Sequence, residues 1–126
     1  MPIEVARELA APPAAAWRLL TDTRAWPRWG PTITAVEADR PVIGLATRGR
    51  VRTSVGVWAP FEITGFVPGS SWHWRVAGIP ATGHRVEPAA RGCRVVFEVP
   101  WPAAPYVIVC RIALGRLAAM LEEPAG

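Results

Sequence analysis

The side chains that could transfer a proton near neutral pH are two histidines, His73 and His84. An imidazole has an ordinary pKa of ~6.5, so it can accept or release a proton at physiological pH. His84 follows Gly83 at the predicted start of a strand, where a side chain can border a pocket without burying a full charge. We predict either a surface or hydrogen-bonded histidine or the acid–base group of a pocket, and His84 is the candidate catalytic residue.

Cysteine and histidine also offer metal ligands, but their spacing does not favour a site. The two cysteines, Cys93 and Cys110, match no compact zinc motif when taken with His73 and His84. The chain also lacks a serine nucleophile elbow, a glycine-rich phosphate loop and an HExxH helix. We expect neither a metal nor a cofactor. Two cysteines without a disulfide framework predict a reducing, cytoplasmic compartment.

All the positive charge comes from fourteen arginines, and the net charge is +4. The arginines are scattered, and no basic cluster or nucleic-acid motif accompanies them, so we expect no nucleic-acid partner. The longest apolar run, residues 103–121, contains Arg111 and Arg116 near its middle, which argues against a membrane span.

Aromatic side chains are abundant, with seven tryptophans in 126 residues. Trp72 and Trp74 alternate onto one face of a strand, which leaves His73 on the other face. Such tryptophans either pack a core or form the wall of a cavity, and both interpretations remain open for this pair. Trp26 and Trp29 are three residues apart on a short helix, and we expect them at the mouth of the cavity. The predicted ligand-binding aromatic residues are Trp26, Trp29, Trp72, Trp74, Phe97 and Tyr106.

Alternation, proline positions and turn residues predict the elements that hold these side chains. Residues 3–9 alternate as a strand, and Pro12 and Pro13 suit the first turn of a helix that runs to residue 20. A second, shorter helix ends at Gly30. The segments that follow predict an antiparallel meander, with strands over residues 32–38, 47–55, 57–67, 71–78, 84–88 and 93–99.

The last segment, residues 103–122, fits two kinds of secondary structure. The β-branched residues at its start would suit a strand. Apolar residues nevertheless recur at helical spacing from Tyr106 to Leu117, and two prolines near the start suit an N-terminal turn. We predict one long helix, which Pro124 and Gly126 end.

The resulting order, β-α-α-β-β-β-β-β-β-α, carries short motifs at particular places. They are Trp26-Pro27-Arg28-Trp29-Gly30, Gly44 before the third strand, Pro68-Gly69 before Trp72-x-Trp74, His84, and Gly92-Cys93-Arg94-Val95. In this order the chain resembles, over nearly its whole length, the START-like (SRPBCC) helix-grip superfamily and its polyketide cyclase/dehydrase-like proteins. The resemblance implies a single α+β domain over residues 1–126. In that fold a curved antiparallel sheet of six to seven strands wraps around a long C-terminal helix and leaves a cavity between them.

The resemblance also implies a partner, a hydrophobic small molecule such as a lipid or polyketide, bound in an aromatic-lined internal cavity by a monomer or homodimer. The alternative is an enzyme, a cyclase, aromatase or dehydratase, in which the same cavity performs acid–base chemistry. Arg50 and Arg52 either form the solvated face of their strand or hold a carboxylate or phenolate, as cavity arginines do in some cyclases of that family. An enzyme needs at least two polar side chains aimed at one inner volume. Convergence of His84 with an arginine is therefore the feature that separates the two functions.

Overall fold

The computed structural model describes residues 2–122. Three α-helices and seven strands make up the fold, together with a 3₁₀ helix, Trp101–Tyr106, that leads into the last α-helix. The helices are α1 (Pro13–Thr21), α2 (Trp26–Trp29) and α3 (Val107–Leu121). The strands are β1 (Ile3–Leu9), β2 (Ile33–Ala38), β3 (Arg48–Thr53), β4 (Trp58–Val67), β5 (Ser71–Val76), β6 (Ile79–Ala89) and β7 (Gly92–Val99).

The seven strands form one antiparallel sheet in the order β1-β7-β6-β5-β4-β3-β2. Strands β2 to β7 form a meander, and the first strand returns to pair with the last, so that Val5 lies opposite Phe97. The sheet is open and curved, and the C-terminal helix closes it. This confirms the predicted α+β helix-grip fold and the order of its elements.

The closing helix differs from the prediction at its beginning. The segment starts as the 3₁₀ helix, and Ala103 has non-helical backbone angles of φ −101° and ψ 25°. Proline at residues 102 and 105 removes two amide donors from this stretch, so regular α-helical hydrogen bonding begins only at Val107. The predicted terminators, Pro124 and Gly126, lie outside the described residues.

One face of α3 is buried in the core. It packs mainly against β1 and α2, and its buried residues are Cys110, Ala113, Leu114, Leu117 and Ala118. By length and composition alone, the helical segment Trp101–Leu121 is apolar enough to cross a membrane, with a mean hydropathy of 1.6.

Strand β6 begins earlier than the sequence predicts, at Ile79 rather than His84. We expected residues 79–83 to interrupt the strand because they include proline and glycine. Instead the pairing of β5 with β6 is irregular between His73 and Arg75, and this shift accommodates the proline. His84 therefore lies in the middle of a strand and not at its start.

The outer face of the sheet carries a network of ion pairs around Arg85. Its guanidinium lies 3.0 Å from Glu4, 2.9 Å from Glu87 and 2.7 Å from Glu98. These contacts join β1, β6 and β7, and the hydrogen bond from Arg85 holds the pKa of Glu4 below its ordinary value. The charged side chains of this network lie on the outer face of the sheet, whereas the inner face carries mainly apolar side chains.

Candidate functional site

A stack of aromatic rings fills the space between the sheet and the helices. The ring centroids of Trp26 and Trp72 are 5.3 Å apart, with planes only 6° from parallel. On its other side Trp72 stacks on His84 at 3.9 Å. Trp74 meets Trp26 and Trp72 edge-on, and Phe97 meets His84 in the same way. We call Trp26, Trp72, Trp74, His84 and Phe97 the aromatic stack.

The aromatic stack leaves little free volume inside the fold. The cavity beside it is about 30 Å³, room for about one or two water molecules. The aromatic side chains that we expected to line an internal cavity therefore fill most of that space. We considered core packing and cavity lining for Trp72 and Trp74. Trp72 is fully buried and packs in the core.

Trp26 and Trp29 lie inside the core and not at a mouth, where we expected them. Their side chains are 0% and 5% exposed. Helix α2 brings both indoles under the sheet, and each indole N–H donates to a main-chain carbonyl, Trp26 to Leu20 at 2.9 Å and Trp29 to Leu19 at 2.8 Å. A buried indole N–H needs a hydrogen-bond acceptor. These two hydrogen bonds satisfy the N–H groups of Trp26 and Trp29 and hold the rings in place.

His84 is buried among aromatic rings, with 3% of its surface exposed. Burial lowers its pKa to about 3. Its Nε2 lies 3.1 Å from the hydroxyl oxygen of Thr82, and within the described residues Nδ1 has no hydrogen-bond partner. The residue lies in the middle of β6 and not at the start of a strand, where we expected it, and it borders the inner cavity.

An apolar cleft adjoins the aromatic stack and is much larger than the inner cavity. Its volume is about 400 Å³. It lies between the inner face of β3, β5 and β6 and the 3₁₀ helix, and Trp74, Thr82 and Tyr106 border both spaces. The residues that line it are Thr32, Ile33, Val51, Thr53, Trp74, Val76, Ile79, Pro80, Ala81, Thr82, Pro100, Ala103 and Tyr106.

The polar groups of the apolar cleft are hydroxyls. Thr32 and Tyr106 form a hydrogen bond of 2.7 Å between the β2 segment and the 3₁₀ helix, and burial raises the pKa of the Tyr106 phenol. The hydroxyl of Thr82 accepts a hydrogen bond from the indole N–H of Trp74 at 3.3 Å. The hydroxyl oxygen of Thr53 is buried and has no partner among residues 2–122. In the part of the chain that the structure describes, none of the lining side chains is charged at neutral pH.

Arg50 and Arg52 do not join the other predicted site residues. Arg50 lies 2.8 Å from Glu37 and stacks over Trp58 at 4.3 Å, and both arginines are exposed. Alternation along β3 explains this placement, since Val51 between them is the residue that points to the inner face. The interpretation of these arginines as ligands for a carboxylate is therefore corrected to a solvated strand face.

The structure brings together the remaining predicted residues and adds others that the sequence analysis missed. Trp26, Trp29, Trp72, Trp74, His84, Phe97 and Tyr106 all border the inner cavity. Thr82 was missed because residues 79–83 were assigned to a break. Alternation would have found it, since Thr82 is two residues before His84 and so shares its face once the segment is a strand. Alternation also places Thr53 on the inner face, two residues after Val51 in the predicted strand.

Neither cysteine takes part in the site as a reactive group. Cys93 and Cys110 are buried free thiols, and burial raises the pKa of each, that of Cys110 to about 11. In the described part of the chain no three His, Cys, Asp or Glu side chains come close enough to hold a metal ion.

Comparisons with known proteins agree on the family and on the fold. A family model described as "Polyketide cyclase / dehydrase and lipid transport" matches residues 2–123. The uncharacterized protein Rv2574 of Mycobacterium tuberculosis is 30% identical over 117 residues, which cover 82% of this chain and 70% of that protein.

Solved structures extend the similarity to the whole fold. Protein MLL2253 of Mesorhizobium loti superposes with a TM-score of 0.80 and 13% identity, and the match covers 100% of both chains. DynU16, a protein from the dynemicin biosynthetic locus, gives a TM-score of 0.72 and 20% identity over 97% of this chain and 47% of its own. At these identities the structures establish a shared fold only.

Proposed function

This chain belongs to the polyketide cyclase / dehydrase and lipid transport family, and on that premise we propose that it binds an apolar small molecule in the apolar cleft. The observation that carries the proposal is the cleft itself, with a volume of about 400 Å³ and a lining of aliphatic, proline and aromatic side chains with a few hydroxyls. Small-molecule sites have this size and composition. The aromatic stack beneath the cleft provides a rigid floor, since Trp74 belongs to both.

Binding receives more support than catalysis because of the state of His84. An imidazole whose pKa is about 3 is a weak base, and at neutral pH it is uncharged, so it lacks the second ring proton that an imidazolium donates as a general acid. The predicted convergence of His84 with an arginine is also missing, because Arg50 and Arg52 lie on the exposed face. The hydroxyls that border the cleft are suited to orienting a ligand.

Filling the cleft from the sheet side tests the proposal. Val76 continues the inward row of Trp72 and Trp74 along β5 and lines the cleft. Nile red, an uncharged apolar dye, should bind the native protein saturably with a blue shift of its emission. Val76→Phe places a ring in the cleft and should weaken this binding by about tenfold or more, a loss of roughly 1.4 kcal/mol.

The same substitution at Val67 is the matched control. Val67 ends β4, is 54% exposed and does not line the cleft. Val67→Phe should leave the dissociation constant of Nile red unchanged. Absence of saturable binding by the native protein, or equal losses in the two variants, would contradict a site in this cleft.

A further inference from the structure

Thr82 lies where the apolar cleft meets the aromatic stack. It borders both the cleft and the inner cavity, and it is 8% exposed. Its hydroxyl is held by two neighbours, the indole N–H of Trp74 at 3.3 Å and Nε2 of His84 at 3.1 Å. A hydroxyl held in this way, on a mostly apolar wall, can orient a ligand.

The hydrogen bonds of Thr82 leave one position unused. A hydroxyl donates once and accepts twice, whereas an indole N–H only donates, so Thr82 is the acceptor for Trp74. If Nε2 of His84 carries the ring proton, Thr82 accepts a second time and its own proton is free. If Nδ1 carries it, Thr82 donates to Nε2 and one lone pair is free. In either tautomer one hydrogen-bonding position remains on the Thr82 hydroxyl.

The rest of the lining selects against charge. Among residues 2–122, those that line the cleft include no cation that could neutralise a carboxylate or phosphate. Burying an ion without a partner is far more unfavourable than burying a carbonyl or hydroxyl that forms one hydrogen bond.

We propose that the ligand of the apolar cleft is an uncharged molecule whose carbonyl or hydroxyl oxygen hydrogen-bonds to Thr82. Trp74 and His84 are positioning residues that hold the Thr82 hydroxyl, and the cleft discriminates against anionic analogues of the same skeleton. This inference rests on the proposed binding function and names the chemical class of its ligand.

Three probes with the same ring system separate the contributions of oxygen and charge. Titration calorimetry at neutral pH would compare naphthol, naphthalene and naphthoate on the native protein. We expect naphthol to bind about 3- to 10-fold more tightly than naphthalene, the range that one net hydrogen bond supplies. Naphthoate should bind at least about 10-fold more weakly than naphthol because the cleft offers its charge no partner.

Thr82→Val removes the hydroxyl and keeps the shape, and Thr82→Ser is the control that keeps the hydroxyl. The valine variant should lose about 3- to 10-fold in affinity for naphthol and none for naphthalene. The serine variant should retain the preference for naphthol. Near-ultraviolet circular dichroism of each variant would verify that the aromatic stack is preserved.

The outcomes distinguish this inference from the proposed function. Naphthoate binding as tightly as naphthol, or equal losses for naphthol and naphthalene in Thr82→Val, would overturn the inference while leaving a binding cleft. If Thr82→Val does not fold, equal affinity of the native protein for naphthol and naphthalene would overturn it. Failure of all three probes and of Nile red to bind would overturn the proposed function.

Discussion

His84 links the protonation of a single side chain to the stability of the fold. Its pKa in the folded protein, about 3, is far below the ordinary value of ~6.5 that it has in an unfolded chain. At pH values between these two pKa values, His84 therefore takes up a proton when the protein unfolds. The stability that depends on the neutral imidazole is fully present above pH ~6.5 and is lost as the pH falls towards 3.

The first prediction is that the free energy of unfolding decreases by about 1.4 kcal/mol for each pH unit below about pH 6. Urea denaturation at pH values from 7 to 5 would measure this slope above the range where most carboxylates titrate. His84→Phe keeps an aromatic ring on Trp72 and should abolish most of the slope. A native slope near zero would contradict the burial of a neutral His84.

The inner faces of strands could be predicted from alternation, residue by residue. Trp72 and Trp74 were assigned to one face and His73 to the other, as the structure has them. Alternation does not say how far a side chain reaches into the interior, however. Whether the tryptophans line a cavity or fill it depends on how closely α2 approaches β5. The residues in that contact are about 45 positions apart in the sequence, and local sequence patterns do not predict contacts over such a separation.

Whether an element boundary could be predicted also depended on whether its cause was local or distant in the sequence. The strand β1 and the two early helices were predictable, since alternation and proline in a first helical turn are local signals. The start of β6 was not, because residues 79–83 look like a turn and become a strand only through irregular pairing with β5. The missing site residue, Thr82, lies in that segment, so the error in the element became an error in the site.

Two glycines provide a test of packing at the level of the elements. Gly49 in β3 has no room for a side chain, because a Cβ there would collide with the main chain of Glu37 and Ala38 on β2. Gly115 lies in α3, and a Cβ there would have no neighbouring atom within 4 Å. The same substitution, glycine to alanine, should therefore act in opposite directions at the two sites.

We expect Gly49→Ala to destabilise the protein by about 1–3 kcal/mol through overpacking between β2 and β3. Gly115→Ala should stabilise it by about 0.5–1 kcal/mol, since alanine favours the helical backbone. Midpoints of urea unfolding measured side by side would give both signs. Destabilisation of similar size at both positions would mean that α3 is packed more closely on that side than the structure shows.

At the scale of the whole molecule, the fold divides its interior into a filled part and an open part. The filled part is the aromatic stack, in which Trp26 contacts Trp72, Trp74 and Phe61. The open part is the apolar cleft beside the 3₁₀ helix. A helix-grip fold places these regions side by side, so the volume open to a ligand depends on how many aromatic side chains occupy the space between helix and sheet.

Removing Trp26 should convert the filled part into a cavity. Trp26→Ala should lower the free energy of unfolding by about 3–5 kcal/mol, because the indole is fully buried. An apolar ligand that binds in the new space and not to the unfolded chain stabilises the folded state by RT ln(1 + c/Kd), where c is the free ligand concentration. Saturating naphthalene should therefore raise the melting temperature of this variant by more than it raises that of the native protein.

Trp17→Ala is the control for this experiment. Trp17 is half-buried, its ring centroid lies 5.7 Å from that of Phe66, and it borders neither the inner cavity nor the cleft. It should lose stability without any additional response to naphthalene. Differential scanning calorimetry of the three proteins, with and without the ligand, would compare these shifts directly. Equal shifts in Trp26→Ala and the native protein would mean that the aromatic stack collapses around the missing indole. In that case the division into a filled and an open part would depend on more than the size of the side chain at this position.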